Sequence, residues 1–296
     1  MKFSIITMTH NRADLIGETI ESVLNQTHQN FEHIIIDDGS TDDTEKIVKH
    51  YINKSNNKII YIKKNRIGVL SILRNIGLKV ATGDIISILD SDDLFEHNKL
   101  ELINSIFENN TEVNFVFHDF KYFNNIKIEK HSYFKYNNNF IKNVFREILL
   151  SEILSFSVYS FRKTILKDVG YFDETMYDGQ HDYYARIAYK YDFFYLNKTL
   201  SYIRRHNENM SKISDVNHCF DAIKTFKSLK RNNQIGNKLY KEAIYLMNYK
   251  IAKFYNENNS QLKRNYYLKK VLKQAPILSK VFVKSFLFKI SIFKKL

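Results

Sequence analysis

Short apolar runs alternate with amphipathic stretches through the first hundred residues. The apolar runs have the composition of buried strands, and the stretches between them repeat apolar residues at helical spacing. The predicted strands are residues 3–9, 31–36, 59–62 and 84–89, and the clearest helices are residues 14–25 and 70–80. Strands that alternate with helices indicate an α/β fold, in which right-handed crossovers build a mostly parallel sheet.

Polar clusters follow three of these strands at the points where the strands end. They are residues 9–12, 37–40 and 90–93. Ligands of such sheets bind beyond the carboxyl ends of the strands. We therefore expect the three clusters to converge on one edge of the sheet.

The third cluster, Asp90-Ser91-Asp92-Asp93, is the most acidic of the three. A buried strand cannot hold three unpaired carboxylates, so the strand has to end and release them at the sheet edge. Their oxygens suit a hard divalent cation, Mg²⁺ or Mn²⁺, and such a cation usually accompanies a phosphate group. Taken alone, the tetrapeptide fits a solvated helix N-terminus equally well, and Asp93 in particular could cap the helix over residues 97–107.

Composition narrows the class of protein. One cysteine, Cys219, excludes an intramolecular disulfide and a cysteine-based zinc site, which favours a reducing compartment. We expect neither a transmembrane helix nor a secretory signal, because the apolar stretches are too short. The first half contains neither the Gly-x-Gly-x-x-Gly turn of dinucleotide oxidoreductases nor the Gly-x-x-x-x-Gly-Lys loop of P-loop phosphotransferases.

Five motifs in a fixed order resemble the family 2 glycosyltransferases. They are residues 4–12 (SIITMTHNR), 21–27 (ESVLNQT) and 37–42 (DDGSTD), followed by Arg74-Asn75-x-Gly77 and Asp90-Ser91-Asp92-Asp93. The resemblance covers about residues 2–210. It implies the GT-A fold, a Rossmann-like and mostly parallel sheet flanked by helices, in an inverting enzyme that uses a nucleotide sugar. We therefore expect a GT-A catalytic domain over residues 1–214 and a helical C-terminal region over residues 215–296, with a break near residues 256–259.

The resemblance assigns roles to polar residues at the strand ends. It implies nucleotide contacts for Thr9, Arg12, Asp38, Arg74 and Asp90, with the first two lining a uridine pocket and Asp90 on the ribose side. It also implies that Asp92 binds the metal ion, Mn²⁺ or Mg²⁺, that bridges the two phosphates. From the residues alone, the turn at residues 9–12 could instead cap a helix, and Arg74 could be a solvated helical arginine.

Two later segments supply the remaining candidates. Asp182 resembles the residue that serves as catalytic base in the family, although His181 stands where the family usually has Glu. A first-turn helix charge is the alternative for Asp182. The segment from Arg204 resembles a closing loop of the family, which implies a phosphate contact for Arg205 and a metal or phosphate contact for His206. A surface histidine is the alternative for His206.

The positive charge is concentrated at the C-terminal end. The net charge is +13, and residues 258–296 hold ten Lys or Arg and no Asp or Glu. Residues 276–296 mix lysines with Ile, Leu, Val and Phe, which predicts a basic amphipathic helix at an anionic membrane surface. Packing on the catalytic domain or on a second copy is the alternative. Few arginines and no folded recognition motif argue against nucleic acid as a partner.

Together these features predict a metal-dependent inverting glycosyltransferase. We expect a UDP-sugar donor and, as acceptor, a hydroxyl of a glycan or lipid-linked molecule in bacterial surface polysaccharide synthesis. The basic tail predicts a cytoplasmic protein at the inner face of the cell membrane. The alternative is a non-catalytic module that binds a nucleotide sugar or glycan at the membrane surface, and its support is the histidine at position 181.

Overall fold

The computed structural model describes residues 1–124, 127–130, 132–134, 136–151, 156–205, 215–276 and 285. The chain divides into two compact units. The first comprises residues 1–144, 154–175 and 186–207, and the second comprises residues 145–153, 176–185 and 208–296. The domain boundary after residue 214 stays a prediction.

The first unit is built on one mixed sheet. Its strands are β1 (Phe3–Thr9), β2 (Phe31–Asp38), β3 (Ile59–Lys64), β4 (Ile85–Ile88), β5 (Leu94–Phe95), β6 (Phe115–Phe123), β7 (Phe140–Lys142), β8 (Tyr159–Arg162) and β9 (Phe193–Arg204). The order across the sheet is β3-β2-β1-β4-β8-β6-β9-β5, and β7 pairs with β9 beside that path.

The directions of the strands place the carboxyl ends of five of them at one edge of the sheet. β1 to β4 run parallel, β8 runs antiparallel between β4 and β6, and β6 and β9 run parallel to each other. The carboxyl ends of β1, β2, β4, β6 and β9 therefore lie at the same edge. The α/β fold with a mostly parallel sheet, which the sequence predicts, is confirmed.

Helices connect the strands and form the second unit. They are α1 (Ala13–Leu24), α2 (Thr44–Lys54), α3 (Leu70–Val80), α4 (Lys99–Asn109), α5 (Phe145–Leu149), α6 (Leu166–Val169), α7 (Gln180–Lys190), α8 (Asp215–Arg231), α9 (Asn237–Glu257) and α10 (Gln261–Gln274). Every residue of β1 and β2 is buried, as expected for strands covered on both faces.

The two faces of the sheet are covered by different helices. Successive side chains of β1 point to opposite faces. Ile5 belongs to an apolar cluster that contains Leu100 and Ile103 of α4. On the other face, Ile6 packs against Gly77 of α3. Both faces of the inner strands are therefore buried, and the polar residues inside these strands, such as Ser4, Thr7 and His33, are buried with them.

The second unit is helical over the residues that the structure describes. Helices α8, α9 and α10 confirm the helical C-terminal region, and α9 and α10 are separated near residue 258, as predicted. None of the described helices is long and apolar enough to span a membrane. The basic helix predicted over residues 276–296 lies outside the described residues, apart from Pro276 and Ser285.

Candidate active site

The acidic cluster forms a tight turn at the carboxyl end of β4. Leu89 still bonds to the sheet, since its N–H donates to the Ile6 carbonyl at 3.0 Å. The turn closes where the Asp93 N–H donates to the Asp90 carbonyl at 3.1 Å. Asp93 is buried, whereas Asp90 and Asp92 are partly exposed. The turn thus presents two carboxylates at the sheet edge and directs the third inward.

Asp93 does not cap the following helix, which begins at Lys99. Its carboxylate accepts the Ser157 hydroxyl at 2.6 Å and the Arg204 backbone N–H at 2.9 Å. Burial, together with the other two carboxylates of the turn, raises the pKa of Asp93 well above its usual range. The expectation of a helix cap at this position is wrong, because the inward side chain is held by Ser157, which lies just before β8, and by Arg204 at the end of β9.

Asp38 ends β2 and is 1% exposed. Its carboxylate accepts backbone N–H groups from Ile67 at 2.6 Å and Gly68 at 3.0 Å, and it pairs with the Arg66 guanidinium. Three donors fix the orientation of this carboxylate at the sheet edge. Arg66 is the most accessible of the three, with 55% of its side chain exposed.

The turn after β1 lies beside the end of β2. Thr9 is opposite Asp37 in the register of the two strands. Asn11 turns the chain through a left-handed backbone φ of 48°. The Arg12 N–H donates to Thr44 Oγ1 at 2.9 Å, and the Arg12 side chain makes no capping hydrogen bond to α1. The predicted convergence of the ends of β1, β2 and β4 is therefore observed.

Arg74 lies on α3 and is 2% exposed. Its guanidinium is 5.5 Å from the centroid of the Phe172 ring, and the neighbouring Asn75 exchanges hydrogen bonds with the Phe172 backbone at 2.9 and 3.0 Å. Gly77 lets α3 approach the sheet closely, since a Cβ there would lie 2.4 Å from Ile6 Cγ2. These contacts exclude the solvated alternative for Arg74.

Arg204 contacts the acidic turn. Its Nε donates to the Asp92 carbonyl at 3.0 Å. Arg205 is exposed and pairs with Glu129 at 3.2 Å, so its phosphate contact stays a prediction. His206 lies outside the described residues. The sequence alone did not predict a role for Arg204. Its position as the last residue of β9, whose carboxyl end lies at the edge of the acidic turn, would have indicated one.

Asp182 lies in the first turn of α7, in the second unit, where it is partly exposed. The preceding His181 is buried, with its ring 4.9 Å from the Phe226 ring and its Nε2 3.3 Å from the Leu149 carbonyl oxygen. Burial lowers the pKa of His181 to about 4, so the imidazole is neutral at neutral pH. The residue that departs from the family pattern is thus a packing residue, and the role of Asp182 stays a prediction.

The acidic turn has the donor chemistry for part of a metal coordination shell. Over the described ranges, no group of three or more His, Cys, Asp or Glu side chains is placed to hold a metal ion. Asp90 and Asp92 offer carboxylate oxygens, which are the donors that Mg²⁺ and Mn²⁺ prefer. Mg²⁺ in nucleotide sites is commonly held by one or two carboxylates together with substrate phosphates. The turn therefore fits a metal ion whose remaining ligands are oxygens of a bound diphosphate.

A separate cleft of about 520 Å³ lies at the opposite edge of the sheet. Residues 109–113 and 190–192 line it with Ile141. These segments precede β6 and β9, whose carboxyl ends lie at the edge of the acidic turn. The cleft is therefore not part of the candidate site.

Comparison with known sequences identifies a family. The sequence model described as glycosyl transferase family 2 matches residues 4–170. An uncharacterized glycosyltransferase of Rickettsia bellii is 47% identical over 116 residues, which are 39% of this chain and 16% of that protein. The minor teichoic acid biosynthesis protein GgaB of Bacillus subtilis is 40% identical over 117 residues, which are 38% of this chain and 13% of that protein. The chain covers 16% to 24% of the length of three Rickettsia relatives.

Comparison with solved structures supports the fold. The 1–349 fragment of S. aureus TarS in complex with UDP-GlcNAc matches with a TM-score of 0.69 at 22% identity, over 93% of this chain and 82% of that one. The mannosyltransferase PcManGT from Pyrobaculum calidifontis, in complex with GDP-Man and Mn²⁺, matches with a TM-score of 0.61 at 15% identity, over 98% of this chain and 79% of that one. Because the family model covers more than half of the chain, the protein belongs to glycosyl transferase family 2, and its fold is the GT-A fold.

Proposed function

We propose that the protein transfers a sugar from a UDP-sugar to a hydroxyl of a glycan or lipid-linked acceptor in bacterial surface polysaccharide synthesis. The observation that carries the proposal is the meeting of Asp38 and the acidic turn at one sheet edge. The UDP-GlcNAc complex of TarS and the teichoic acid synthesis in the name of GgaB support the donor and acceptor classes. The non-catalytic alternative rests on His181, which is buried and packs against Phe226.

On the donor side, we assign the contacts with the nucleotide to the five residues that the sequence analysis gives for them. They are Thr9, Arg12, Asp38, Arg74 and Asp90. An ionised carboxylate only accepts hydrogen bonds, so Asp38 would receive a base N–H or a ribose hydroxyl. The exposed Arg66 is the contact of Asp38 that the nucleotide would replace.

We assign Asp92 to a Mn²⁺ or Mg²⁺ ion, with His206 as a second candidate ligand. The ion, when bound, offsets the charge that develops on the departing diphosphate. Arg205 is assigned to a phosphate oxygen, for which a guanidinium offers paired donors.

On the acceptor side, Asp182 is the proposed base. Its carboxylate takes the proton of the acceptor hydroxyl as that oxygen attacks the anomeric carbon. The bond from that carbon to the diphosphate oxygen breaks in the same step, and the electron pair leaves with the nucleotide. A single displacement inverts the configuration at the anomeric carbon and needs no covalent enzyme intermediate.

A donor screen tests the proposal. Purified protein with Mn²⁺ is mixed with UDP-, GDP- and dTDP-sugars, and nucleotide release and thermal shift are followed. We expect a UDP-sugar to stabilise the protein and to release UDP. No stabilisation by any of these nucleotides, with or without metal, would contradict a donor site at this edge.

Asp92→Asn tests the metal assignment. Metal-dependent transfer should fall by roughly 100-fold or more, because a bound metal ion contributes several kcal/mol of charge stabilisation. Asp84→Asn is the matched control, since Asp84 lies at the other end of β4, where its Oδ2 accepts the Lys2 N–H at 2.9 Å. Undiminished Mn²⁺-dependent turnover of Asp92→Asn would remove Asp92 as a ligand.

A further inference from the structure

A buried polar cluster lies beneath the acidic turn, and no step of the proposed reaction uses it. Its members are at most 3% exposed and are Asp93, Lys99, Ser157, Ser201 and Arg204. Removing charged groups from water costs several kcal/mol per ion unless they are paired and hydrogen-bonded. The contacts within this cluster should therefore show what these buried groups hold in place.

Ser157 joins the two ends of the turn. Its Oγ donates to Asp93 Oδ2 at 2.6 Å and accepts the Asp90 backbone N–H at 3.2 Å. A serine hydroxyl has a single proton, and a backbone N–H can only donate. The Ser157 proton is therefore directed at the Asp93 carboxylate, and one hydroxyl bridges the first and last residues of the turn.

Lys99 holds Ser157 in position. Its Nζ donates to the Ser157 carbonyl at 2.9 Å and to Ser201 Oγ at 3.3 Å. The Ser201 hydroxyl donates to the same carbonyl, and Lys99 Nζ lies 3.4 Å from the centroid of the Phe95 ring. Two donors on one carbonyl, one of them the lysine amine that lies over the Phe95 ring, restrict the Ser157 backbone to one place.

Arg204 holds the turn from the end of β9. Its backbone N–H donates to Asp93 Oδ1 at 2.9 Å, and its Nε donates to the Asp92 carbonyl at 3.0 Å. The Ser157 hydroxyl accepts the Asp90 N–H as well, so hydrogen bonds from buried residues hold the turn at Asp90, Asp92 and Asp93. These contacts engage the backbone groups of Asp90 and Asp92 rather than their carboxylates.

We propose that Ser157, anchored by Lys99, is a positioning residue for the divalent cation. It holds the backbone of the acidic turn so that the Asp92 carboxylate meets the metal ion in one orientation. The inference rests on the proposed function, in which Asp92 binds Mn²⁺ or Mg²⁺. Removing a group that orients a metal ligand typically weakens metal binding by about 10–100-fold.

Mn²⁺ binding by Ser157→Ala tests the inference without turnover. Free Mn²⁺ is measured by electron paramagnetic resonance in the presence of saturating UDP and no sugar donor. We expect the Kd for Mn²⁺ to rise about tenfold, because the turn loses the bridge between its ends. Ser160→Ala is the matched control: Ser160 is equally buried, and its hydroxyl is paired with Ser87 at 2.6 Å within the sheet. Its Kd for Mn²⁺ should stay within twofold of the wild-type value.

Comparison of the two serine variants decides the role. If Ser157→Ala and Ser160→Ala lose the same thermal stability and bind Mn²⁺ with equal affinity, the inference is overturned. Ser157 would then contribute only to the stability of the fold. If Ser157→Ala does not fold, Ser157→Cys is compared with Ser160→Cys, because a thiol is a weaker donor of similar shape. A wild-type protein that binds no Mn²⁺ with UDP would instead contradict the metal assignment of the proposed function, and the inference would fall with it.

Discussion

At the scale of single residues, burial decides the charge of the core histidine in β2. His33 is fully buried, and its Nε2 lies 3.0 Å from Thr7 Oγ1. Burial lowers the pKa of His33 to about 3. The unfolded chain takes up a proton at this histidine below about pH 6.5, whereas the folded chain does not. The stability that His33 contributes is therefore complete above pH 6.5 and is lost as the pH falls toward 3.

His33→Asn should remove this pH dependence. We expect the variant to be less stable than the wild type at pH 8, and the gap to narrow by about 2 kcal/mol between pH 6.5 and 5. Urea unfolding at several pH values measures the gap. His50→Asn is the control at an exposed position of α2, where the gap should stay near zero. A gap for His33→Asn that does not vary with pH would mean that folded His33 takes up a proton.

Which polar side chain points inward could not be predicted from the sequence. Asp92 and Asp93 are chemically equivalent neighbours in the chain, and the partners that hold Asp93 lie 64 and 111 residues away. Arg204 and Arg205 are adjacent in the same way, but Arg204 ends β9 and contacts the turn, whereas Arg205 follows the strand and is exposed. The positions of the acidic and basic motifs could be predicted because a buried strand excludes a cluster of unpaired charges until the strand ends.

At the scale of elements, helix α3 depends on a glycine. A Cβ at Gly77 would lie 2.4 Å from Ile6 Cγ2, so alanine would push the helix away from β1. Gly77→Ala should cost about 1–3 kcal/mol in unfolding free energy, as overpacking does in other cores. It should also weaken nucleotide binding, because Arg74 lies on the same helix. Gly17→Ala in α1 is the control, since its Cβ would come no closer than 3.4 Å to Tyr51.

The control and a second substitution separate packing from helix propensity. Gly17→Ala should be neutral or stabilising by up to about 1 kcal/mol, because alanine is the better helix former. Ile6→Ala removes the atom that the new methyl group would meet, so it should recover part of the loss in a Gly77→Ala background. Additive effects of the two substitutions in urea unfolding would contradict direct overpacking.

The alternating elements of the first hundred residues could be predicted, and the mixed part of the sheet could not. The predicted helix over residues 70–80 coincides with α3, because apolar spacing reports a buried helix face directly. The antiparallel insertion of β8 between β4 and β6 depends on pairing between distant segments, which an apolar pattern does not specify. The donor side of the candidate site could therefore be derived from sequence more fully than the acceptor side.

At the scale of the whole molecule, the positive charge is concentrated at the C-terminal end of the chain. Residues 258–296 supply +10 of the net charge of +13, and α10 alone carries five basic residues and no acidic one. The remainder of the chain is nearly neutral, so a long-range attraction to an anionic partner would act mainly through the C-terminal end. The expected partner is the anionic face of a membrane, where a lipid-linked acceptor would also lie.

Neutralising the tail tests this expectation. Glutamine replaces the five lysines of the predicted basic helix, which are Lys280, Lys284, Lys289, Lys294 and Lys295. Each lysine near an anionic surface contributes about 1 kcal/mol, so the affinity measured by cosedimentation with phosphatidylserine vesicles should fall by about 3.5 orders of magnitude. The control replaces five exposed lysines of the first unit with glutamine and makes the same change in net charge; they are Lys46, Lys54, Lys64, Lys167 and Lys198. Equal losses in the two variants would mean that net charge, and not the tail, draws the protein to the vesicles.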